Sequence, residues 1–220
     1  MQHRIIVVLS FILLCSCNNN NNSFRGFSDE IRENFNEQAE DWNEKTNEWE
    51  KQISTIYAIS DVDLKKAILY SDSIIKGSSL DNHMKADVHT VIGEILLDND
   101  SIDLAFERFK KTQLLTSDTP RNKANKAAYY VKKGYLNKAM NLLREAESVN
   151  YDFKWLIGNL YEIQGNREKA IIEYQSLFQM GEGIYEYCKD RISELKNPET
   201  KLFTDLQFQN RRDRVFILFN

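Results

Sequence analysis

The sequence feature that most constrains the fold is an internal repetition with a period of a little over thirty residues. Ala105 lies 34 residues before Ala139, which lies 31 residues before Ala170, and Ala67 occupies the same role in a weaker copy 38 residues upstream of Ala105. Self-similarity at this period is typical of stacked repeats, because one helix pair alone cannot bury both of its faces. The small residues on which the three strong copies depend are Gly93, Ala105, Ala127, Ala139, Gly158 and Ala170.

The last copy, IGNLYEIQGNREKAIIEY over residues 157–174, resembles the tetratricopeptide repeat (TPR) family. In that family the first helix carries a small and a large apolar residue three positions apart, and the second carries an alanine and an aromatic residue four apart. The resemblance implies that Gly165 takes the turn, where a positive φ costs glycine little. Two departures stand out: Lys126 lies where an apolar residue is usual, and polar Ser71 lies where the second aromatic residue belongs.

The resemblance implies an all-α fold, namely a right-handed superhelical array of antiparallel helix pairs (a TPR-like solenoid) preceded by a long N-terminal helix. A polar-backed helix is expected to close such an array at its end. We place the repeats within residues 48–184, as a degenerate copy over about 48–81 and clear copies over 86–119, 120–150 and 151–183, with a capping helix over 184–197.

The N-terminal helix is predicted over residues 28–58, with Ser28 as its cap. A narrow apolar stripe recurs along it at steps of four or seven residues. Such a stripe can pack on the repeats of the same chain or form a coiled-coil seam with another chain, and packing on the repeats is favoured. The stripe consists of Ile31, Phe35, Trp42, Trp49 and Ile53.

Residues 1–16 have the organisation of a bacterial lipoprotein signal peptide. The apolar run at 5–14 rises about 15 Å as a helix, which is too short to cross a bilayer but suits a signal-peptide core. The Leu-Cys-Ser-Cys sequence that ends at Cys17 resembles a lipobox, so Cys17 is the predicted lipidation site; the alternative is an ordinary secretory signal with an incidental cysteine. Residues 17–27, which include five consecutive asparagines, predict a flexible tether.

These features predict a lipid-anchored protein of the bacterial cell envelope that faces the periplasm, with the outer membrane favoured over the inner. The formal net charge is −4, without the basic stripe of a nucleic-acid-binding protein. His83 and His89 lack the framework of a zinc site, and residues 98–103 lack the glycine and glutamate of a calcium loop. Because no catalytic or phosphate-binding motif stands out either, we expect a non-enzymatic protein without a cofactor or metal.

The first helices of such an array are expected to line an extended concave surface that binds a protein or peptide. Trp155 with Asn159 one turn later is either an aromatic anchor beside a hydrogen-bonding amide or simply packing between helices. The sequence leaves these two interpretations open, and it lacks the lysines and asparagines of a carboxylate clamp. The tentative groove set is Asp87, Glu94, Asp98, Arg121, Lys132, Trp155 and Asn159.

The C-terminal tail, residues 198–220, supports two interpretations. Lys201 to Leu206 could form one more helix, and a basic cluster at 211–214 precedes an apolar run at 215–219. Either the tail docks back on the array, which is favoured, or it begins a transmembrane helix. The leading functional prediction is therefore a protein-interaction module or assembly scaffold. The alternative is the ligand- or protein-sensing input domain of a truncated signal-transduction protein that contains TPR repeats.

Overall fold

The computed structural model describes residues 22–77, 80–150, 153–178 and 185–206. Within these ranges it consists of helices and their connections, without a strand, and no helix in them is long and apolar enough to span a membrane. The predicted signal peptide, the predicted lipidation site Cys17 and the last fourteen residues of the tail lie outside the described residues.

Nine helices fall within the described ranges. Four begin at side-chain caps, at Asp63, Asp81, Thr119 and Asn166; Asp81, for example, accepts the Met84 N–H at 2.9 Å. The helices are α1 (Asn22–Ser60), α2 (Leu64–Gly77), α3 (Asn82–Asp98), α4 (Ile102–Leu115), α5 (Pro120–Lys132), α6 (Leu136–Glu147), α7 (Lys154–Ile163), α8 (Arg167–Phe178) and α9 (Tyr185–Leu195).

The chain divides into two compact units, residues 1–52 and 53–220. The described part of the first unit is the larger portion of α1, which begins at Asn22 rather than at the predicted cap Ser28. A helix that has nucleated gains one hydrogen bond for each residue added, so it continues into residues that were expected to form the tether. In the apolar stripe Trp49 and Ile53 are buried, whereas the side chains of Ile31, Phe35 and Trp42 lie outside the description.

The second unit consists of helices that pack against their neighbours in the chain. The pairs α3–α4, α5–α6 and α7–α8 are each joined by a three-residue turn and pack along each other. In addition α2 packs on α3, α4 on α5, α6 on α7 and α8 on α9. The all-α class and the packed adjacent helix pairs are thus confirmed.

Small residues occupy the helix–helix contacts, as the repetition predicts. Ala105, Ala139 and Ala170 are fully buried. A methyl group built on Gly93 would lie 2.5 Å from Cε1 of Phe109, and one built on Gly158 would overlap the Tyr174 ring. Both glycines are therefore required by close packing of a first helix against the aromatic residue of its second helix.

The turns within the pairs share one backbone conformation. Gly134 and Gly165 have φ values of 77° and 75°, which confirms the role predicted for Gly165. In the α3–α4 turn the equivalent residue is Asp100, with φ 56°. Aspartate is one of the few residues with a side chain that visits this region routinely.

The two departures from the repeat pattern are accommodated by hydrogen bonds. Lys126 is buried, and its ammonium group donates to Asp118 at 2.7 Å and Gln113 at 3.1 Å. Ser71 is also buried and donates to the carbonyl of Ile68 at 2.8 Å. Polar side chains are tolerated at these positions because their polar atoms have partners.

The helix α9 lies within the range predicted for the capping helix and buries Cys188, Ile192 and Leu195. Its face opposite the solvent is not wholly apolar, because Arg191 is only 7% exposed. The additional helix predicted over Lys201 to Leu206 is wrong, because this stretch has no helical residues. Its backbone is bonded by side chains of the second unit instead, as described below.

Candidate functional site

Glu94 of the predicted groove joins the first helices of two successive pairs. Its side chain is 3% exposed and accepts two bonds from Arg121, at 2.8 Å from Nε and 2.7 Å from Nη2. Asn125 donates a third bond to Glu94 at 2.7 Å. Burial opposes the charge of Arg121, but the charge and hydrogen bonds of Glu94 raise the guanidinium pKa. This part of the set therefore forms a satisfied link between α3 and α5.

Asp87 lies on α3 two helical turns before Glu94, on the same face of the helix, and is half-buried. Burial raises the pKa of its carboxyl group to about 6, and the nearby charge of Arg121 opposes that shift without cancelling it. An ionised carboxylate at this position is disfavoured in the folded state. Asp87 is thus a titratable group near neutral pH at the edge of the link.

Lys132 and Asp98 lie at the other end of the first helices. Asp98 is exposed at the end of α3. Lys132 lies at the end of α5 and forms ion pairs of 3.0 Å with both Asp100 and Asp205. Burial lowers the pKa of Lys132, but the bonds to the two aspartates outweigh it and raise the pKa. Asp205 belongs to the C-terminal tail. Lys132 therefore binds the tail instead of lining an open groove.

Trp155 and Asn159 lie in the interior of the α7–α8 pair. Trp155 is 8% exposed and Asn159 is 0% exposed. The Asn159 amide donates to the Trp155 carbonyl and to the Tyr174 hydroxyl, both at 2.9 Å. Trp155 therefore packs between helices, and neither Trp155 nor Asn159 is exposed enough to contact a partner in this structure.

A buried carboxylate that the sequence did not single out extends this interior. Glu162 has a side chain with no exposed surface and accepts the Tyr174 hydroxyl at 2.8 Å. Arg191 donates to it from Nε at 3.1 Å and from Nη2 at 2.5 Å. The charges of this pair are compensated by the bidentate geometry that guanidinium and carboxylate groups favour.

The most prominent exposed feature is a set of contacting aromatic rings on α4, α5 and the following turn. Phe106 stacks on Tyr129 with ring centroids 4.1 Å apart, and Tyr130 meets both at their edges. Tyr135 extends the row, 6.3 Å from Tyr130, and is 55% exposed. The other three rings are half-buried.

Three lysines lie over these rings. Lys110 is 5.7 Å from the Phe106 centroid, Lys133 is 5.7 Å from Tyr129, and Lys138 is 5.1 Å from Tyr135. Cations at these distances are attracted to the ring faces and so order the rings and themselves. We call the four rings and these three lysines the aromatic–lysine surface.

The aromatic–lysine surface was not among the predicted site residues. Its signal in the sequence is the tandem Tyr129-Tyr130, with Tyr135 just beyond the turn glycine. Repeat patterns identify the buried positions of a helix, whereas the exposed rings contact one another across helices and follow no fixed spacing.

Two further titratable side chains, those of His89 and Cys188, are buried and do not line an open site. His89 is buried with Nδ1 3.5 Å from Nη1 of Arg108, and burial, with the charge of Arg108, lowers its pKa to about 4. Burial raises the pKa of the Cys188 thiol to about 12. Across the described ranges, no three histidine, cysteine, aspartate or glutamate side chains are grouped as metal ligands.

Comparison with known proteins adds no family to these observations. No family model matches the sequence, and a search of curated proteins finds no match.

Proposed function

We propose that the second unit is a TPR-type array of antiparallel helix pairs with a right-handed superhelical course, and that the protein is a non-enzymatic interaction module or assembly scaffold. The repeat spacing supports the array, because the small residues it aligns are buried at equivalent helix contacts. The function depends on one observation above the others, the aromatic–lysine surface.

That surface has the chemistry of a protein-binding patch. Tyrosine and phenylalanine are enriched in interfaces, where they offer large contact area at low cost in conformational entropy. Four contacting rings suit a partner that presents apolar or aromatic side chains. Lys110 and Lys133 pair with Glu107 at 2.6 Å and Asp103 at 2.9 Å, so acidic groups of a partner would exchange with these exposed ion pairs.

Photocrosslinking tests this assignment. A photoreactive residue at Tyr135 should capture a defined protein partner in native membranes, and the adduct should be lost when Lys110 and Lys138 are both changed to glutamate. Ile172 on α8 is 61% exposed and serves as the matched position away from the surface. Identical adducts at both positions, or none at Tyr135, would contradict a binding role for the aromatic–lysine surface.

We further propose that the protein is attached to the bacterial envelope by a lipid on Cys17 and faces the periplasm, with the outer membrane favoured. Metabolic labelling with a clickable fatty acid should label the wild-type protein and Cys15→Ser but not Cys17→Ser. Label that persists in Cys17→Ser would exclude Cys17 as the anchor.

A further inference from the structure

The tail segment, residues 197–206, lies on the second unit as a non-helical chain whose backbone is bonded by side chains. Nη2 of Arg191 donates to the Lys201 carbonyl at 2.9 Å, and Glu162 accepts the Phe203 N–H at 3.2 Å. Arg191 and Glu162 thus bond the backbone on either side of Leu202, just before the chain bends at residues 204 and 205.

Three side chains of the tail segment add contacts that depend on their identity. The Arg191 guanidinium lies 3.9 Å from the centroid of the Phe203 ring. Asp205 pairs with Lys132 at 3.0 Å, and Leu206 is 5% exposed. Backbone bonds that give affinity, together with side-chain contacts that give specificity, are how proteins recognise peptide segments. The recognised pattern is an aromatic residue, any residue, an acid and an apolar residue.

The site is built by side chains of the folded helices. Glu162 is also bonded by Tyr174, and Arg191 also bonds Glu194 at 2.6 Å, and neither of these contacts involves residues 201–206. The turn before them is fixed separately by Arg167, since its guanidinium bonds the carbonyls of Leu195, Asn197, Pro198 and Thr200.

We propose that Glu162, Arg191 and Lys132 form a peptide-binding site for a partner segment with this pattern, and that residues 201–206 are its internal competitor. The site is separate from the aromatic–lysine surface, because none of the four rings contributes to it. Because the tail segment occupies the site in most molecules, the apparent affinity for a partner segment equals the intrinsic affinity multiplied by the fraction of molecules whose site is open.

The test uses the full chain and a fluorescein-labelled peptide of residues 199–207, with binding followed by anisotropy. Asp205→Lys places like charges together at Lys132 and should loosen the tail segment, so this variant should bind the peptide at least about tenfold more tightly than wild type. The charge swap Lys132→Glu with Asp205→Lys re-forms the tail contact and repels the peptide's own aspartate. It should return binding to the wild-type level or below.

The controls separate tail release from loss of folding. Phe203→Ala is a second loosened variant with Lys132 intact, and circular dichroism of both variants reports their helix content. A peptide with alanine in place of its phenylalanine should bind neither. Equal affinity of wild type and Asp205→Lys, or no binding to the two folded variants, overturns the proposal. Crosslinking from Tyr135 is independent of that result, so the two assignments fail separately.

Discussion

The α3–α4 and α7–α8 pairs have the same helix contact but different interiors. Gly93 packs against Phe109 and Gly158 against Tyr174, each sixteen residues later. Four residues after the glycine, the first pair buries Leu97 and the second buries Glu162. Both pairs therefore have the same close contact between a glycine and an aromatic ring. They differ in polarity at two equivalent positions, where Phe109 and Leu97 of the first pair correspond to Tyr174 and Glu162 of the second.

That difference determines what each pair can hold. The phenylalanine and leucine of the first pair offer no hydrogen-bonding group to another segment. In the second pair the Tyr174 hydroxyl and Glu162 bring Arg191 into the interior, and Glu162 and Arg191 bond the tail segment. Small residues thus specify the helix pair, and the buried polar residues specify what attaches to it.

The largest expected effect comes from making the second pair resemble the first at one position. Glu162→Leu removes the buried carboxylate of Arg191 and leaves Glu194 as its remaining acidic partner, which should lower the free energy of unfolding by about 3 kcal/mol in urea denaturation, the lower end of the range for breaking a buried ion pair. Adding Arg191→Met removes the stranded charge and should recover most of the loss. If the double variant is as unstable as the single one, the ion pair is not the cause.

Methyl groups added at the shared contact should be the next largest effect. Gly93→Ala and Gly158→Ala each place a methyl group into an aromatic ring, which should cost about 1–3 kcal/mol of unfolding free energy. Gly77→Ala is the matched control, because a methyl group there meets nothing within 4 Å. Equal stability of Gly77→Ala and Gly158→Ala would show that the two pairs do not share a close contact.

The positions that act through volume could be predicted from the sequence. A close helix contact admits only a small residue whatever its neighbours are, so Gly93, Ala139 and Gly158 mark the pairs without knowledge of the partner. The turn at Gly165 was predicted by the resemblance to the repeat family, because glycine tolerates a positive φ. That resemblance could not predict Asp100, because the αL conformation is marked in the sequence mainly by glycine.

The positions that act through charge could not be predicted in the same way. Glu94 is buried because Arg121, 27 residues later, reaches it, and Glu162 because Arg191, 29 residues later, does. A polar residue on a first helix is therefore assigned to the open surface until its partner is known. For this reason Asn159 was predicted to contact a partner but lies in the core.

Asp87, the half-buried acid on α3 of the first pair, provides a pH test of the same contrast. The carboxyl pKa of Asp87 is about 6 in the folded protein against an ordinary 3.8. The folded state therefore binds more protons between about pH 4 and 6, and this group makes stability fall as pH rises through that range. Asp87→Asn should be more stable than wild type by about 1–2 kcal/mol at pH 7.

The gap between the two proteins should close at or below about pH 4, where the carboxyl group is protonated in both states. Paired urea denaturations at pH 4 and pH 7 measure it. A gap of the same size at both pH values would mean that the titration of Asp87 does not contribute.

The smallest expected effect concerns the turns. Asp100→Gly relieves a positive φ and should change the unfolding free energy by less than about 1 kcal/mol, because the lost exposed ion pair to Lys132 offsets part of the gain. Gly165→Ala introduces the same strain in the second pair and should cost about 1 kcal/mol. If Asp100→Gly is the more destabilising of the two, the turns are not equivalent.

Hydrogen exchange at the Phe203 amide tests the difference between the two pairs most directly. In the wild-type protein this amide should be protected by its bond to Glu162, and in Glu162→Leu with Arg191→Met it should exchange at the rate of an unstructured peptide. The amides of α3 and α4 should be unchanged by the same substitutions. Protection of Phe203 that survives in the double variant, or a uniform loss of protection through α3–α8, would contradict the view that Glu162 and Arg191 hold the tail segment.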